Sequence, residues 1–459
     1  MIEMNVGIIG GSSGLGRTLI YYFRDEFDVS ITGRDHKKGR DIAREADVNY
    51  VESNAELAKA SDILVVSVPI QYTEDVIREV APFMREGSVM IDVTSVKEGP
   101  SKTMAETLPE NVEYIPTHPV FGPRTTDLNN QVIVLTADRK GEWYDKVYRY
   151  LKSKNMRIIE TTAEKHDYMM IIVQVLTHFS FISTASAIEK LKVDLSETED
   201  YESPIYNLMI DMIARIVAQN PYLTYNIQSM NHNGPKIRNT FADAVHELRD
   251  VINEGDDEKF VEIAIKATKH MGDIKNALGR SDKAISALNY EYTYLNNMIG
   301  HEVGLKHIYS GKVHIGILES VDGKTAILKS GNKTKKLRIA NIRVLLDDEL
   351  YDWKVRNLDR KTESISCVFP KNVDAETIRK TASHIDNIIR VDLTDTYDGP
   401  QIDDGSISLT FEVSALSKSD IENVRKLFTG FGGTIRYFCL KLSEQILKYQ
   451  KVIKILFQI

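Results

Sequence analysis

A histidine and a serine follow two short apolar runs of the chain. His118 comes after the run Val112 to Ile115, and Ser95 comes after the run Val89 to Val93. A histidine in this position can change protonation near neutrality, which suits a general base or an acceptor of a hydrogen bond from a substrate hydroxyl. Ser95 could position that hydroxyl, although a serine ahead of a helix more often caps it. The two positions predict proton-transfer chemistry beyond the ends of two strands.

A glycine-rich turn near the N-terminus suits a dinucleotide. The run Val6 to Ile9 leads into Gly10-Gly11-Ser12-Ser13-Gly14-Leu15-Gly16, and helical spacing follows. Glycine permits close backbone approach, and free N–H groups at a helix start attract a pyrophosphate. Ser13 replaces the middle glycine of the usual GxGxxG fingerprint, so a glycine turn without a ligand stays open as an alternative. We predict cofactor contacts at Gly11, Ser12, Ser13, Gly14, Leu15, Gly16 and Ser67.

The end of the second β-rich run favours NADP over NAD. An NAD site expects an acidic residue here to hold the ribose hydroxyls, whereas the chain has Gly33-Arg34-Asp35. Arg34 can pair with a 2′-phosphate and Gly33 leaves room for it. A solvated basic turn is the alternative, and Asp35 could still reach the ribose. NADP is therefore the predicted cofactor, with NAD as the second choice.

Seven β-rich runs alternate with helical patterns over the first 160 residues. They are Val6 to Ile9, Val29 to Thr32, Ile63 to Val68, Val89 to Val93, Val112 to Ile115, Val132 to Leu135 and Arg157 to Ile159. Strands this apolar on both sides indicate a parallel sheet covered by helices on both faces. Ligands of such sheets bind beyond the carboxyl ends of the strands. We therefore predict an α/β, Rossmann-like dinucleotide-binding domain over residues 1–160.

Composition excludes several classes of protein. The chain has 459 residues, 42% hydrophobic and 27% charged, with a net charge of −8, so it is neither disordered nor globally attracted to nucleic acid or membrane. The chain has two cysteines, Cys367 and Cys439, which lie far apart in the sequence with no CxxC partner, so a disulfide framework and a thiolate zinc cluster are not expected and a reducing, cytoplasmic location is favoured. The most apolar segment, Met169 to Ser183, is interrupted by polar residues and is predicted to be a buried helix rather than a membrane span. We expect no targeting segment, because the first residues lack a basic region and a small-residue cleavage site.

Residues 161–300 have helical periodicity throughout. Pro204, Pro221 and Pro235 each open a new run at a first-turn position. The apolar faces of these runs exceed what one sheet domain can cover. We therefore predict a helical domain that contributes to the substrate cleft and pairs with its twin in a homodimer.

The last third of the chain changes character. Residues 301–348 are predicted to form a small β unit, in which Ser310 to Val344 holds eight Lys or Arg against two Asp or Glu. No aromatic residues are interleaved with these cations, so a solvated face is favoured over an RNA site. Residues 349–440 have the strand and helix order of a ferredoxin-like domain. Residues 441–459 are predicted to form a Lys-rich helix.

Four groups of residues, in order along the chain, resemble the prephenate dehydrogenase family over about residues 5 to 300. They are Thr94 to Lys97, His118 to Pro123, Glu164 to Asp167 with Val173 to Phe179, and Ser203 to Tyr206 ahead of Arg215. The resemblance implies oxidative decarboxylation of prephenate to 4-hydroxyphenylpyruvate on the way to tyrosine, by a homodimer that uses NAD or NADP and no metal.

The resemblance also implies roles for individual residues. His118 would take a hydrogen bond from the ring hydroxyl and assist its deprotonation, and Ser95 would support that hydroxyl. Arg215 would bind a substrate carboxylate, and His178 would lie near the substrate. A salt bridge of Arg215 with Asp211 and a core position for His178 are the structural alternatives. Some members carry a second arginine where this chain has Asn207, so the second carboxylate must be held differently.

The C-terminal domain looks like the anticodon-binding module of phenylalanyl-tRNA synthetase. The resemblance covers about 75 residues, through Asp395 to Gly399, Ser408 to Phe411, Ser417 to Asp420 and Gly433 to Arg436. Regulatory amino-acid-binding modules share this topology, so RNA, an aromatic amino acid and a purely structural role stay open. Tyrosine is the predicted effector, and nucleic acid is not expected as a partner.

Three other functions compete with prephenate oxidation. Arogenate is the alternative substrate within the same family. Another Rossmann-type reductase would share a sheet domain followed by a helical domain, although His118 to Pro123 together with Arg215 argue against it. A non-catalytic nucleotide- or RNA-binding regulator would show no cofactor turnover and a steep salt dependence of RNA binding.

Overall fold

The computed structural model describes residues 4–125 and 127–436. The chain divides into two compact units, with the boundary at Ile274 and Lys275. The first unit holds an α/β domain followed by helices. The second begins with a helix and continues into two antiparallel sheets.

The α/β domain alternates strands and helices. Its strands are β1 (Asn5–Ile9), β2 (Asp28–Thr32), β3 (Asn49–Tyr50), β4 (Ile63–Val66), β5 (Val89–Asp92), β6 (Glu113–Pro119), β7 (Val132–Leu135) and β8 (Arg157–Glu160). Its helices are α1 (Gly14–Phe23), α2 (His36–Ala46), α3 (Asn54–Ala60), α4 (Ile70–Val80), α5 (Glu98–Thr107) and α6 (Glu142–Ser153). All seven predicted strands are present, and β3 is a short addition because only two residues pair with β2.

The eight strands form one sheet in the order β3-β2-β1-β4-β5-β6-β7-β8. The order reverses between β1 and β4, which is where ligands of open α/β sheets bind. The prediction of a wholly parallel sheet is wrong at one place, because β7 runs antiparallel to β6. This pairing extends β6 past Ile115 and draws His118 into the strand, opposite Val134. Apolar residues fill both faces of the sheet, as the uninterrupted apolar runs require.

Six α-helices and one π-helical turn follow the sheet domain in the first unit. They are α7 (Ala163–Met170), a π-helical turn (Ile171–Leu176), α8 (Thr177–Leu191), α9 (Pro204–Val217), α10 (Pro221–Met230), α11 (Gly234–Glu254) and α12 (Asp257–His270). The π-helical turn joins α7 to α8 without a break. The three prolines stand in the first turns of α9, α10 and α11, as predicted. Proline is tolerated there because the first helical N–H groups have no partner within the helix.

The prediction that Met169 to Ser183 is a buried helix is wrong. No residue of α8 is buried within the chain, and Met169, Ile172 and Val173 are exposed. By length and composition alone, the continuous helix Ala163–Leu191 could cross a membrane, with a mean hydropathy of 1.6. Because the rest of the chain leaves this apolar helix exposed, we expect another molecule to contact it.

The second unit begins with α13 (Ile274–Asn297), whose Leu295 packs into the core of the first antiparallel sheet. This helix was assigned to the helical domain in the sequence prediction. The sheet has the order β12-β11-β10-β9-β13. Its strands are β9 (Glu302–His307), β10 (Val313–Val321), β11 (Thr325–Ser330), β12 (Lys333–Arg338) and β13 (Ile342–Leu345). The hairpins at Gly323 and Gly331 are confirmed, and both glycines have positive φ.

The last described domain has the ferredoxin-like topology. After α14 (Asp347–Asn357) come β14 (Lys361–Pro370), α15 (Ala375–Ser383), β15 (Ile388–Tyr397), β16 (Ser406–Ala415), α16 (Lys418–Gly430) and β17 (Thr434–Arg436). The sheet order is β15-β16-β14-β17, with antiparallel neighbours. The predicted helix at 441–459 lies outside the described residues. The remaining domain boundaries stay predictions.

Candidate functional site

The glycine loop is shaped by contacts that leave no space for side chains. Gly10 follows β1 with a φ of +87°, and a Cβ there would lie 2.1 Å from the carbonyl oxygen of Ser67, which follows β4. A Cβ on Gly16 would lie 2.5 Å from the carbonyl oxygen of Gly10. The loop therefore closes onto the ends of β1 and β4, where the strand order reverses. This is the cradle that a pyrophosphate needs, directly at the start of α1.

Most of the predicted loop residues share this cradle. Ser13 is the N-cap of α1, and no side-chain capping bond engages its hydroxyl. Ser13 and Gly14 are exposed, whereas Gly11, Ser12 and Gly16 are buried. Gly10 was not singled out, although its positive φ is what requires glycine. The residues present fit a dinucleotide phosphate.

The end of β2 separates the two charged residues that compete for the ribose. Asp35 is the N-cap of α2, and its side chain accepts a hydrogen bond of 3.0 Å from the main-chain N–H of Lys38. Arg34 is exposed, and its guanidinium carbon lies 5.1 Å from the centre of the Tyr72 ring at the start of α4. A guanidinium held over an aromatic ring remains able to bind an anion. Asp35 is thus occupied as a helix cap, while Arg34 faces solvent.

A fully buried lysine joins β5 to β6. The Lys97 ammonium is paired with the Asp92 carboxylate, and both side chains are completely inaccessible. It also donates a 2.7 Å hydrogen bond to the carbonyl oxygen of Thr117. Burial lowers the pKa of Lys97, and the neighbouring Asp92 carboxylate opposes that shift. Lys97 fixes the main chain of the residue that immediately precedes His118.

His118 is itself buried, with 2% of its surface exposed, and both ring nitrogens have partners. Its Nδ1 lies 2.8 Å from Nε2 of His166 in α7, and its Nε2 lies 3.2 Å from the side-chain nitrogen of Gln174. Gln174 belongs to the π-helical turn, a feature that is common at functional sites. Burial lowers the pKa of His118 well below 6.5, and His166 and Lys97 lower it further. This lowered pKa favours the neutral form of the ring, which is the form with a lone pair for a proton.

His166 and Asp167 continue the chain of hydrogen bonds from His118. His166 Nδ1 lies 2.7 Å from Oδ1 of Asp167. The same carboxylate accepts main-chain N–H groups of Lys97 at 2.8 Å and Glu98 at 3.0 Å. The Asn231 side chain donates to the carbonyl oxygen of Asp167 at 2.7 Å. A chain of polar groups thus runs from His118 to the start of α5, inside the protein.

The other predicted site residues are less closely connected. Ser95 is half-buried in the loop after β5, and it does not cap α5, whose N-cap is Lys97. The capping alternative is therefore wrong. His178 is half-buried in α8, and burial lowers its pKa. Its Nδ1 has no hydrogen-bond partner among the described residues, which argues against a satisfied core histidine.

Arg215 lies near the C-terminal end of α9 and is exposed. Arg215 and Asp211, both within the described residues, form no ion pair, so the salt-bridge alternative has no support. The described contacts do not connect Arg215 to the His118 network either. Its predicted contact with a carboxylate stays a prediction.

Sequence reasoning missed four members of the buried network as functional residues. They are Asp92, His166, Asp167 and Gln174, together with the role of Lys97. Lys97, His166, Asp167 and Gln174 stood within the segments that suggested the family. Their roles depend on contacts between positions 48 to 70 residues apart. The adjacent His-Asp pair at the start of a predicted helix was the available signal.

Two family models match most of the first unit. The model described as prephenate dehydrogenase, nucleotide-binding domain, matches residues 21–160. The model described as prephenate dehydrogenase, dimerization domain, matches residues 162–265. The matches cover β2 to β8 and the helices that carry the network, whereas β1 and the glycine loop lie ahead of the first match.

Two individual relatives and one solved structure are similar to this chain. A probable arogenate/prephenate dehydrogenase of Methanocaldococcus jannaschii is 41% identical over 431 residues, covering 93% of this chain and 96% of that protein. The T-protein of Haemophilus influenzae is 28% identical over 267 residues, covering 58% of this chain and 67% of that protein. A crystal structure of prephenate dehydrogenase from A. aeolicus, with hydroxyphenyl propionate and NAD+, is 17% identical with a TM-score of 0.49, covering 60% of this chain and 99% of that one. The 431-residue match is longer than the first unit, so it extends into the second.

Proposed function

The chain belongs to the prephenate dehydrogenase family and is a dehydrogenase of the prephenate/arogenate group, and from this we propose its reaction. It oxidises and decarboxylates prephenate to 4-hydroxyphenylpyruvate. Arogenate is the competing substrate. The observation that carries the proposal is the burial of His118, which lowers the pKa of its ring well below 6.5. Within residues 4–125 and 127–436, the hydrogen-bond partner of its Nε2 is the uncharged side chain of Gln174. A substrate hydroxyl that displaces Gln174 there would find a base held in place.

His118 and the other site residues each have a separate role in proton transfer, cofactor binding or substrate binding. His118 accepts the proton of the carbinol hydroxyl, and Ser95, in the adjacent strand-end loop, orients that hydroxyl. Lys97 holds the strand that carries His118, and burial excludes water from the ring. The glycine loop and Arg34 hold the dinucleotide, which supplies the hydride acceptor when bound. Arg215 and His178 contribute to substrate binding.

The proposal is tested by absorbance at 340 nm. Purified protein is mixed with prephenate or arogenate and with NAD or NADP, giving four pairs. Reduction that is fastest with prephenate supports the proposal, and reduction only with arogenate moves the assignment to the competing substrate. No reduction with any pair would contradict the dehydrogenase mechanism and favour the regulator alternative.

NADP preference rests on Arg34. Arg34→Ala is expected to raise the KM for NADP by about tenfold to a hundredfold and to leave the KM for NAD within about twofold, because a charge-assisted contact to phosphate contributes about 1.5–3 kcal/mol. The measurement is initial velocity against each cofactor at saturating substrate. Arg44→Ala, on the exposed side of α2, is the matched control. Equal effects on both cofactors would remove the phosphate-pairing argument.

The homodimer proposal rests on the exposed apolar surface of the helices. Residues of α8, α9 and α12 that a soluble monomer would cover remain accessible, among them Leu191, Met209, Met212, Phe260 and Ile265. This surface lies largely in the segment matched by the dimerization-domain model. A second copy would cover it and account for the apolar character of α8. Light scattering should give twice the 52.0 kDa chain mass, and a monomer at micromolar concentration would contradict the proposal.

Two further assignments complete the proposal. The ferredoxin-like domain binds tyrosine as an effector, a role that its topology permits. Calorimetry with tyrosine and the whole protein should show saturable heat, and its absence would end that assignment.

The protein resides in the cytoplasm, consistent with the buried Cys367, whose thiol pKa is raised to about 12 by burial. Recovery of the native protein from a membrane or secreted fraction would contradict that location.

A further inference from the structure

The hydrogen bonds around Asp167 fix which atoms carry protons. The main-chain N–H groups of Lys97 and Glu98 can only donate, and they converge on the Asp167 carboxylate at 2.8 and 3.0 Å. The carboxylate is therefore the acceptor at this end of the chain. His166 Nδ1, at 2.7 Å from the same carboxylate, must donate its hydrogen.

This assignment propagates to His118. A neutral imidazole that carries its hydrogen on Nδ1 has a lone pair on Nε2. His166 Nε2 therefore accepts, and His118 Nδ1, at 2.8 Å, donates to it. The lone pair of His118 then lies on Nε2, the atom that faces the amide nitrogen of Gln174. The network thus selects the tautomer of His118 that presents a base.

The two rings do not hold a positive charge equally well. The charged groups around them are Lys97 with Asp92 from β5 and its loop, Glu98 at the start of α5, and Asp167 from α7. The Lys97 ammonium disfavours a cation on His118, whereas His166 contacts the Asp167 carboxylate directly. A positive charge is therefore better accommodated on His166 than on His118.

We propose that His118, His166 and Asp167 form a proton relay, in which the proton accepted from the substrate is balanced by a proton passed from His118 to His166. This inference rests on the proposed function, because it requires a substrate hydroxyl at Nε2 of His118. His166 and Asp167 are positioning residues, since they act through His118. They determine its tautomer and hold the charge that it would otherwise carry.

The relay balances over the whole reaction. The substrate O–H bond breaks as the Nε2–H bond of His118 forms, and the Nδ1–H bond of His118 breaks as the Nε2–H bond of His166 forms. The O–H electron pair makes the ring carbonyl while hydride leaves the carbinol carbon for the oxidised nicotinamide. The ring carboxylate departs as carbon dioxide, and its bonding electrons make the ring a phenolate. Both protons then move back, so that the phenolate becomes the phenol and the relay returns to its first state.

The decisive variant is His166→Gln. A glutamine oxygen can accept the Nδ1–H of His118 and preserve its orientation, but it cannot carry the transferred proton. We expect kcat to fall by about tenfold to a hundredfold with KM values within about twofold, since proton-transfer groups contribute about 10²–10⁴-fold. The acid limb of the kcat/KM profile should move to lower pH, because the pair loses the site stabilised by Asp167. His246→Gln, an exposed histidine on α11, is the control and should match the wild type.

A second measurement needs no activity. Ring ¹⁵N shifts of the wild-type protein, assigned with the His166→Gln variant, should show His118 protonated on Nδ1 at neutral pH. A hydrogen on Nε2 would overturn the relay, as would a His166→Gln variant with normal kcat and an unmoved acid limb. Failure of the proposed function is distinguishable, because it would leave the wild type without turnover while the Nδ1–H signal persists. If His166→Gln does not fold, His118 is assigned with His118→Asn instead.

Discussion

The His118→Asn variant is expected to lose about 10³-fold in kcat, with KM values for substrate and cofactor within about threefold of the wild type. Asparagine can still donate a hydrogen bond toward His166, but it has no lone pair basic enough to take the hydroxyl proton. In the described part of the chain, the ring nitrogens of His118 contact His166 and Gln174 rather than the glycine loop, so cofactor binding should persist. Steady-state kinetics at 340 nm measure the effect.

The control for this variant is His246→Asn, which removes an exposed histidine of α11. Its kcat should equal that of the wild type. If His118→Asn keeps kcat within about threefold of normal, His118 has no part in the rate-limiting chemistry. Loss of cofactor binding in the same variant, measured by fluorescence titration, would instead assign His118 to the structure of the site.

The Lys97→Met variant is expected to lower the free energy of unfolding by about 3–5 kcal/mol. It leaves the Asp92 carboxylate without its cation at a position with no solvent access, and it removes the donor to Thr117. The measurement is the urea midpoint of the first unit, followed by fluorescence of Trp143 in α6. A midpoint equal to that of the wild type would show that water reaches Asp92.

Two further variants separate charge burial from general damage. Lys102→Met removes an exposed lysine whose ammonium lies 3.9 Å from Glu106, and it should cost less than about 1 kcal/mol. The double variant Lys97→Met with Asp92→Leu should recover part of the lost stability, since replacing both partners removes the uncompensated charge. A double variant less stable than Lys97→Met would mean that packing, not charge, dominates at this position.

The elements were predictable from the sequence because each depends on local pattern. The apolar runs at Val29 to Thr32 and Ile63 to Val66 are strands because both of their faces are covered, and proline marks the start of α9. The direction of β7 was not predictable, since an apolar run of four residues does not indicate whether the strand runs parallel or antiparallel to its neighbour. The position of His118 at a strand end was predictable for the same local reason.

The site beyond His118 depends on tertiary contacts. Nothing in the local sequence of Asp167 shows that its carboxylate reaches the main chain of Lys97, 70 residues earlier. The same limitation explains the error at α8, because an apolar helix looks alike whether its own chain or another molecule covers it. Residues whose roles are set by distant partners need the fold before they can be assigned.

The hydrogen bonds of Asp167 couple the packing of α7 against the sheet domain to the placement of His118 as a base. Its carboxylate accepts hydrogen bonds from the main-chain N–H groups of Lys97 and Glu98 at the start of α5, in the sheet domain. Asp167 itself belongs to α7, which also supplies His166. A sheet domain separated from α7 would keep its glycine cradle but lose the partner that sets the His118 tautomer. In the proposed relay, displacing α7 from α5 would therefore remove the hydrogen-bond partner of His118 and leave the residues of the glycine loop unchanged.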